Sequence, residues 1–254
     1  MRTRLISPGK MVVVCGSERP LVLTMKKGTA NLTQEEIKEL TPTSWSVCDD
    51  IDSPDQCSVY YLGLILNSLG AASLVLIIAS IALGFLPVPH SIISQDTPIL
   101  LSFCTVIVSS IMATCAHESL HVFFGNTTWQ SVRRSGSILH TNLNHVLAWS
   151  KPSALSAIGA GPSIDYIIII ATLGLYYLTS SALFLSIAYI NLVRCVWEFN
   201  IFQKRDLRLF LNILLDRPDG IIPINQKTQL FGMVFDTLLF TAFLLPSLTA
   251  LIGR

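Results

Sequence analysis

The chain has 254 residues, of which 51% are hydrophobic and 13% charged, against about 25% charged in ordinary soluble domains. A net charge of +1, with no basic stripe interleaved with aromatic residues, argues against a nucleic-acid partner. The apolar residues are gathered in long runs, which indicates a protein that lies in a lipid bilayer. None of the six cysteines forms a CxxC pair, so a thiolate metal site is not expected.

Residues 1–57 are polar and are expected to form a small N-terminal region on the cytoplasmic side. Short strands are predicted at Val12–Cys15 and Leu21–Thr24, and a helix at Leu32–Leu40, so a small α/β module is one interpretation. The region holds too little apolar material for an independent enzyme domain. A docking module, a lid or a simple anchor would give the same pattern.

Residues 58–254 contain five apolar segments, each long enough to cross about 30 Å of hydrocarbon at about 1.5 Å per residue. The expected fold is therefore an all-α integral membrane protein with about five transmembrane helices. The expected spans are 59–87, 98–125, 154–178, 180–202 and 230–252.

Lysine and arginine in the loops predict the orientation of these spans. The N-terminal region, the 126–153 loop and the 203–229 segment are basic, whereas the 88–97 loop and the turn near 180 contain no Lys or Arg. Because cytoplasmic loops carry the excess of Lys and Arg, the N-terminus is predicted to be cytoplasmic in a multi-pass protein of the cell membrane.

The clearest motif is the pentad His117-Glu118-Ser119-Leu120-His121 near the end of the second apolar segment. Residues four apart on a helix project from the same face, so the two imidazoles can hold one metal ion, usually zinc. Glu118 is placed to take a proton from a metal-bound water and deliver it to a leaving amine. The pattern predicts a zinc hydrolase site.

The alternative interpretation of the pentad is a surface run of polar residues that matches the His-Glu-x-x-His pattern by chance. The flanks argue against it, because residues 100–116 and 122–125 are largely apolar. Ionisable side chains inside a membrane span are costly and mark functional sites by default. The metal-site interpretation is therefore preferred.

The pentad supplies two ligands, and a metalloprotease zinc needs a third. That ligand must lie near the cytoplasmic end of its helix, because only about one helical turn remains beyond His121. Asp206, just past the fourth segment, satisfies this condition, and Asp165 in the third segment could as well. The other candidates are Glu198, Asp236, His140, His145, Asp216 and Asp219.

Three blocks in this order resemble the site-2 protease family of intramembrane zinc metalloproteases, in particular its bacterial peptide zinc metalloprotease branch. The first block is the pentad with its flanks, and the second is Ala160-Gly161-Pro162 with Asp165 three residues on. The third runs from Asn200 through Asp206 to Asp216 and Pro218. The likeness covers roughly residues 97–220.

The resemblance implies that His117, His121 and Asp206 bind zinc and that Glu118 is the general base. It also implies that Asn200 helps to hold the substrate or the developing oxyanion. The implied activity is endopeptidase cleavage of a membrane-associated peptide or protein near the cytoplasmic face of the bilayer.

Two departures from the family pattern leave alternatives open. Leu207 stands where the family has Gly after its ligand Asp, and Ile201 where it has Pro. Asp219 is followed by Gly220 and is therefore a rival third ligand. A catalytically inactive membrane scaffold or peptide-export partner that retains the protease fold is the alternative function.

The remaining polar features have structural interpretations. His140 and His145 are expected to be solvated loop residues, and Gly161-Pro162 is expected to start a helix and to allow close packing. Arg194 and Glu198 are four apart and are expected to neutralise each other, with a water path to the metal as the second interpretation.

Overall fold

The computed structural model describes residues 2–7, 10–14, 21–24, 58–86, 98–126, 132–135, 138–202, 205–216 and 225–252. Helices dominate this part of the chain, with short strands at its N-terminus and between the second and third helices. The helices are α1 (Ser58–Ala82), α2 (Ile99–Phe124), α3 (Lys151–Thr179), α4 (Ala182–Glu198), α5 (Asp206–Leu214) and α6 (Gln226–Ile252). The strands are β1 (Arg2–Ser7), β2 (Lys10–Val14), β3 (Leu21–Thr24), β4 (Val132–Ser135) and β5 (Ile138–Thr141).

Three helices are long and apolar enough to span a membrane among the described residues: Val59–Ala82, Ile99–Phe124 and Lys151–Thr179. In α1 and α2, only 11% of the most apolar stretch is buried inside the protein. In α3 the corresponding share is 50%. Large apolar side chains such as Leu100 and Met112 are therefore exposed, which suits a lipid environment. Five spans remain a prediction.

Helix α3 is the centre of the helical bundle, with α1, α2, α4 and α5 packed around it. Small residues allow α1 to approach it closely, because a Cβ atom on Gly63 would meet the Ser156 hydroxyl and one on Gly70 would meet Ser163. Asn67 of α1 donates to the Ser156 carbonyl at 3.1 Å. This small-residue contact is typical of helices that associate in membranes.

The third and fourth helices differ from their predicted bounds. Helix α3 begins at Lys151 and continues through Pro162, so the expectation that Gly161-Pro162 starts a helix is wrong. Helix α4 has 17 residues, from Ala182 to Glu198, where the sequence predicted 180–202. Ser180 adopts a left-handed conformation with φ 55° and ends α3, so only two residues separate the helices.

Two small antiparallel sheets flank the bundle. The sheet β1-β2-β3 includes the predicted strand Leu21–Thr24 and overlaps the one predicted at Val12–Cys15. The helix predicted at Leu32–Leu40 lies outside the described residues. The hairpin β4-β5 leads into a 3-10 helix, Asn144–Ala148, against which β1 and β2 pack.

Candidate metal centre

The site is built around three buried side chains from two helices. His117 and His121 lie one turn apart on α2, and Asp206 is the first residue of α5. The two Nε2 atoms are 3.1 Å apart, and Asp206 Oδ2 is 2.8 Å from His117 Nε2 and 2.9 Å from His121 Nε2. All three side chains are at least nine-tenths buried. The structure therefore brings together the two pentad histidines and the Asp favoured as their partner.

The dimensions of this triangle suit a metal ion. In a tetrahedral zinc site, bonds of about 2.0–2.1 Å place the ligand atoms about 3.3 Å from one another. The three distances of 2.8–3.1 Å lie a few tenths of an ångström below that value. Two imidazole nitrogens and a carboxylate oxygen leave a fourth position open, as in catalytic sites. The group could hold a metal ion.

The outer ring nitrogens orient both histidines for metal binding. His121 Nδ1 lies 3.1 Å from the Ala157 carbonyl, which can only accept, so Nδ1 carries the hydrogen. His117 Nδ1 lies 2.7 Å from Asp165 Oδ2, which accepts in the same way. Each Nε2 therefore keeps its lone pair for the centre, and such partners also hold the rings in place.

The electrostatics of the centre also favour a cation. Two nitrogen lone pairs and one carboxylate oxygen converge with no donor between them, which is unfavourable in a buried site without positive charge. A metal cation among the three atoms would supply that positive charge.

Glu118 lies beside the ligands and is held by the β-hairpin. Its Oε2 accepts hydrogen bonds from the backbone N–H of Thr141 at 2.8 Å and from Thr141 Oγ1 at 2.6 Å. Both residues are buried, and Thr141 is the last residue of β5. Within the described part of the chain no hydrogen bond reaches the second oxygen, so that atom is available for a proton.

Gly161 lets α3 pass directly over the two histidines. A Cβ atom at this position would lie 2.6 Å from His117 Nε2 and would also clash with His121 Nε2. No larger residue fits here without displacing one of the two histidines. The close packing expected at Gly161-Pro162 is therefore present, and at Gly161 it lies directly against the two histidines.

The other predicted site residues lie elsewhere or outside the described residues. The amide group of Asn200 donates to the Gly232 carbonyl at 3.0 Å and to Asp236 Oδ1 at 2.8 Å, so these two hydrogen bonds join it to α6 and not to the metal group. Its role towards substrate stays a prediction. The rival ligand Asp219 lies outside the described residues.

Two structural expectations are wrong. Arg194 does not pair with Glu198, because its Nη1 lies 3.0 Å from Asn191 Oδ1 and 3.5 Å from Asp165 Oδ1. His145 is not a solvated loop residue, because its ring is buried and its Nε2 donates to the Gly125 carbonyl at 2.7 Å. This hydrogen bond satisfies a backbone carbonyl just after the C-terminal end of α2.

A cavity of about 620 Å³ adjoins the metal centre. It lies between α1, α3, the end of α4 and the start of α5, and Asp206 is one of its lining residues. Its walls are largely apolar, with Leu64, Leu155 and Phe210 among them. The size is that of a ligand-binding pocket.

Comparisons of the chain with protein-family models, curated proteins and solved structures found no significant match. The resemblance to site-2 proteases therefore stays a prediction from motifs.

Proposed function

We propose that this protein is an intramembrane zinc metalloprotease that hydrolyses a peptide bond of a membrane-associated peptide or protein near the cytoplasmic face. The observation that supports it best is the convergence of His117, His121 and Asp206 beside Glu118. Two imidazoles and a carboxylate also bind ferrous iron in oxygenases. The adjacent Glu118 favours hydrolysis, because a hydrolase needs a base at this position and an oxygenase does not.

The proposed topology has five spans with a cytoplasmic N-terminus. Helices α1, α2 and α3 supply three of them, and α6, with 27 residues, has the length for another. Helix α4 has only 17 residues and would cross about 25 Å. That length suffices if the residues after α4 lie within the headgroup region, which would place Asp206 near the inner face.

The residues of the site are proposed to have different roles in hydrolysis. His117, His121 and Asp206 would hold zinc, and zinc supplies a Lewis acid towards water and a peptide carbonyl. Glu118 takes the proton from the attacking water and returns it to the leaving amine. The two hydrogen bonds from Thr141 fix one Glu118 oxygen, which leaves the other to carry the proton. Asp165 keeps the His117 lone pair directed at the centre.

The substrate must present an extended backbone, because a continuous helix hides its carbonyls in internal hydrogen bonds. The apolar cavity beside Asp206 has room for such a segment, and its walls suit residues that come from the membrane. Cleavage next to this cavity accounts for a site buried within the helical bundle.

The test compares the wild-type protein with Glu118→Gln in the same membranes. New peptide N-termini in the membrane fraction are quantified by mass spectrometry, and metal is measured by elemental analysis of the purified proteins. We expect cleavage to fall by a factor of about 1,000 in the variant, because general-base catalysis is lost while the ligands remain. Each protein should contain about one zinc ion per chain.

Glu36→Gln in the N-terminal region is the matched control and should cleave like the wild type. Products that persist unchanged in Glu118→Gln would overturn the proposal. Zinc bound without any difference in products between wild type and variant would favour the inactive scaffold or peptide-export partner instead.

A further inference from the structure

One partly buried carboxylate beside the metal centre has no part in the mechanism above. Glu198 is the last residue of α4 and lines the cavity together with Asp206 and Tyr166. Within the described part of the chain, no hydrogen bond or ion pair reaches its side chain. An unpaired carboxylate among apolar walls is costly, so a positive partner is expected to come from outside the protein.

No cation among the described residues forms an ion pair with Glu198, although the charge of Arg205 acts on it at longer range. Arg194, one turn earlier on α4, lies against Asn191 and Asp165. Arg205 lies 3.8 Å from Asp236 and 4.8 Å from the centre of the Trp197 ring. Lys151, on the cavity wall, pairs with Asp216 at 2.9 Å.

The metal site and Arg194 account for the neighbouring carboxylates. A divalent cation would offset the charges of Asp206 and Glu118, and Arg194 Nη1 lies 3.5 Å from Asp165 Oδ1. Glu198 lines the same cavity as Asp206. The cavity thus combines apolar walls with one carboxylate that has no direct partner among the described residues.

We propose that Glu198 binds a cationic group of the substrate, an ammonium or a guanidinium carried by an apolar segment near the bond to be cleaved. The inference rests on the proposed function, since it names the substrate class of that same site. The positive group could belong to a Lys or Arg side chain or to a free N-terminus, which share this chemistry.

The test measures binding and not cleavage, with the Glu118→Gln protein in phosphatidylcholine nanodiscs so that bound peptide is not consumed. The probes are four fluorescent peptides of Leu and Ala that differ in one feature. Three have a blocked N-terminus and a central Lys, norleucine or Glu, and the fourth has norleucine with a free N-terminus. Affinity is measured by fluorescence anisotropy, with empty nanodiscs as the background.

We expect at least one cationic peptide to bind about tenfold tighter than blocked norleucine, as for one hydrogen bond to a charged group. A preference for Lys identifies a side chain as the source, and a preference for the free N-terminus identifies the terminal ammonium. Glu198→Gln should abolish the preference. The control Glu36→Gln removes a carboxylate of the polar N-terminal region instead and should retain the preference.

Equal affinity for cationic and norleucine peptides, or a preference that survives Glu198→Gln, would overturn the proposal. Glu198→Asp keeps the charge and should keep the preference, so its loss there in a zinc-loaded protein would also overturn it. The binding result is independent of the protease proposal. A cation preference without cleavage by the wild type contradicts only the protease, and cleavage without the preference contradicts only the role of Glu198.

Discussion

The two halves of α3 perform different tasks although they belong to one continuous helix. Its first half contacts the metal centre: Gly161 lies against both histidines, and Asp165 bonds to His117. Its second half packs apolar residues, Ile169 and Leu173, in a cluster with Ile77 and Ala188. Substitutions in the first half are limited by the positions of the polar atoms of the metal centre, and those in the second half by the space available in the apolar core. The same substitution should therefore affect zinc binding in the first half and not in the second.

The largest effect is expected where a ligand itself is removed. His117→Ala takes one of two imidazoles from the centre, so zinc content should fall from about one ion per chain to nearly none. Elemental analysis of the detergent-purified protein measures this. Asp206→Ala should do the same, and Asp219→Ala should retain the metal. If zinc were lost in Asp219→Ala but kept in Asp206→Ala, the third ligand would be Asp219 and not Asp206.

The difference between the two halves of α3 is tested most directly by adding a methyl group to each half in turn. Gly161→Ala places its Cβ against both ligand nitrogens, so zinc affinity should weaken about 100-fold, near the upper cost of about 3 kcal/mol for overpacking. A Cβ on Gly174 meets nothing within 4 Å, so Gly174→Ala should bind zinc like the wild type. Competition with a chelator measures both. Equal affinities in the two variants would contradict the close approach at Gly161.

A smaller effect is expected from the partner of a ligand. Asp165→Asn keeps an oxygen that can accept from His117 Nδ1 but loses its charge, so zinc affinity should fall about tenfold. Ile169→Val, one turn further along α3, should cost about 0.5–1.5 kcal/mol of stability and leave zinc affinity unchanged. The same competition assay and thermal unfolding separate the two outcomes. Unchanged affinity in Asp165→Asn would mean that the negative charge of Asp165 does not strengthen metal binding by His117.

The smallest effect is expected at the hairpin. Thr141→Val removes the hydroxyl bond to Glu118 and retains the backbone bond, so kcat should fall about three- to tenfold with full zinc occupancy. Cleavage of a membrane substrate found with the wild type, followed over time, measures this. A loss of zinc in this variant would show instead that the hairpin supports the ligands.

Local patterns made part of this site predictable from the sequence. The pairing of His117 with His121 follows from helical spacing alone, because residues four apart share a face. The three longest predicted spans correspond to the three helices of the described residues that are long and apolar enough to span a membrane. Asp206 was predicted as the third ligand from its expected depth in the membrane and from the family resemblance. In the structure it lies next to both histidines.

Contacts that depend on tertiary packing were not predictable. Thr141 lies 23 residues from Glu118, and no spacing rule connects them. Helical spacing paired Arg194 with Glu198, but the packing of α4 on α3 brings Asp165 to Arg194 instead. Pro162 suggested a helix start, yet the tertiary contacts of α3 on both sides of it maintain one helix.

In the proposed five-span topology, the tight turn at Ser180 has a consequence for how the chain would enter the bilayer. With only Ser180 and Ser181 between them, α3 and α4 can insert together as a helical hairpin. Asp165 and Arg194 face each other within that hairpin, 3.5 Å apart. Their opposite charges can thus compensate each other during translocation, which lowers the free energy of transferring either group into hydrocarbon.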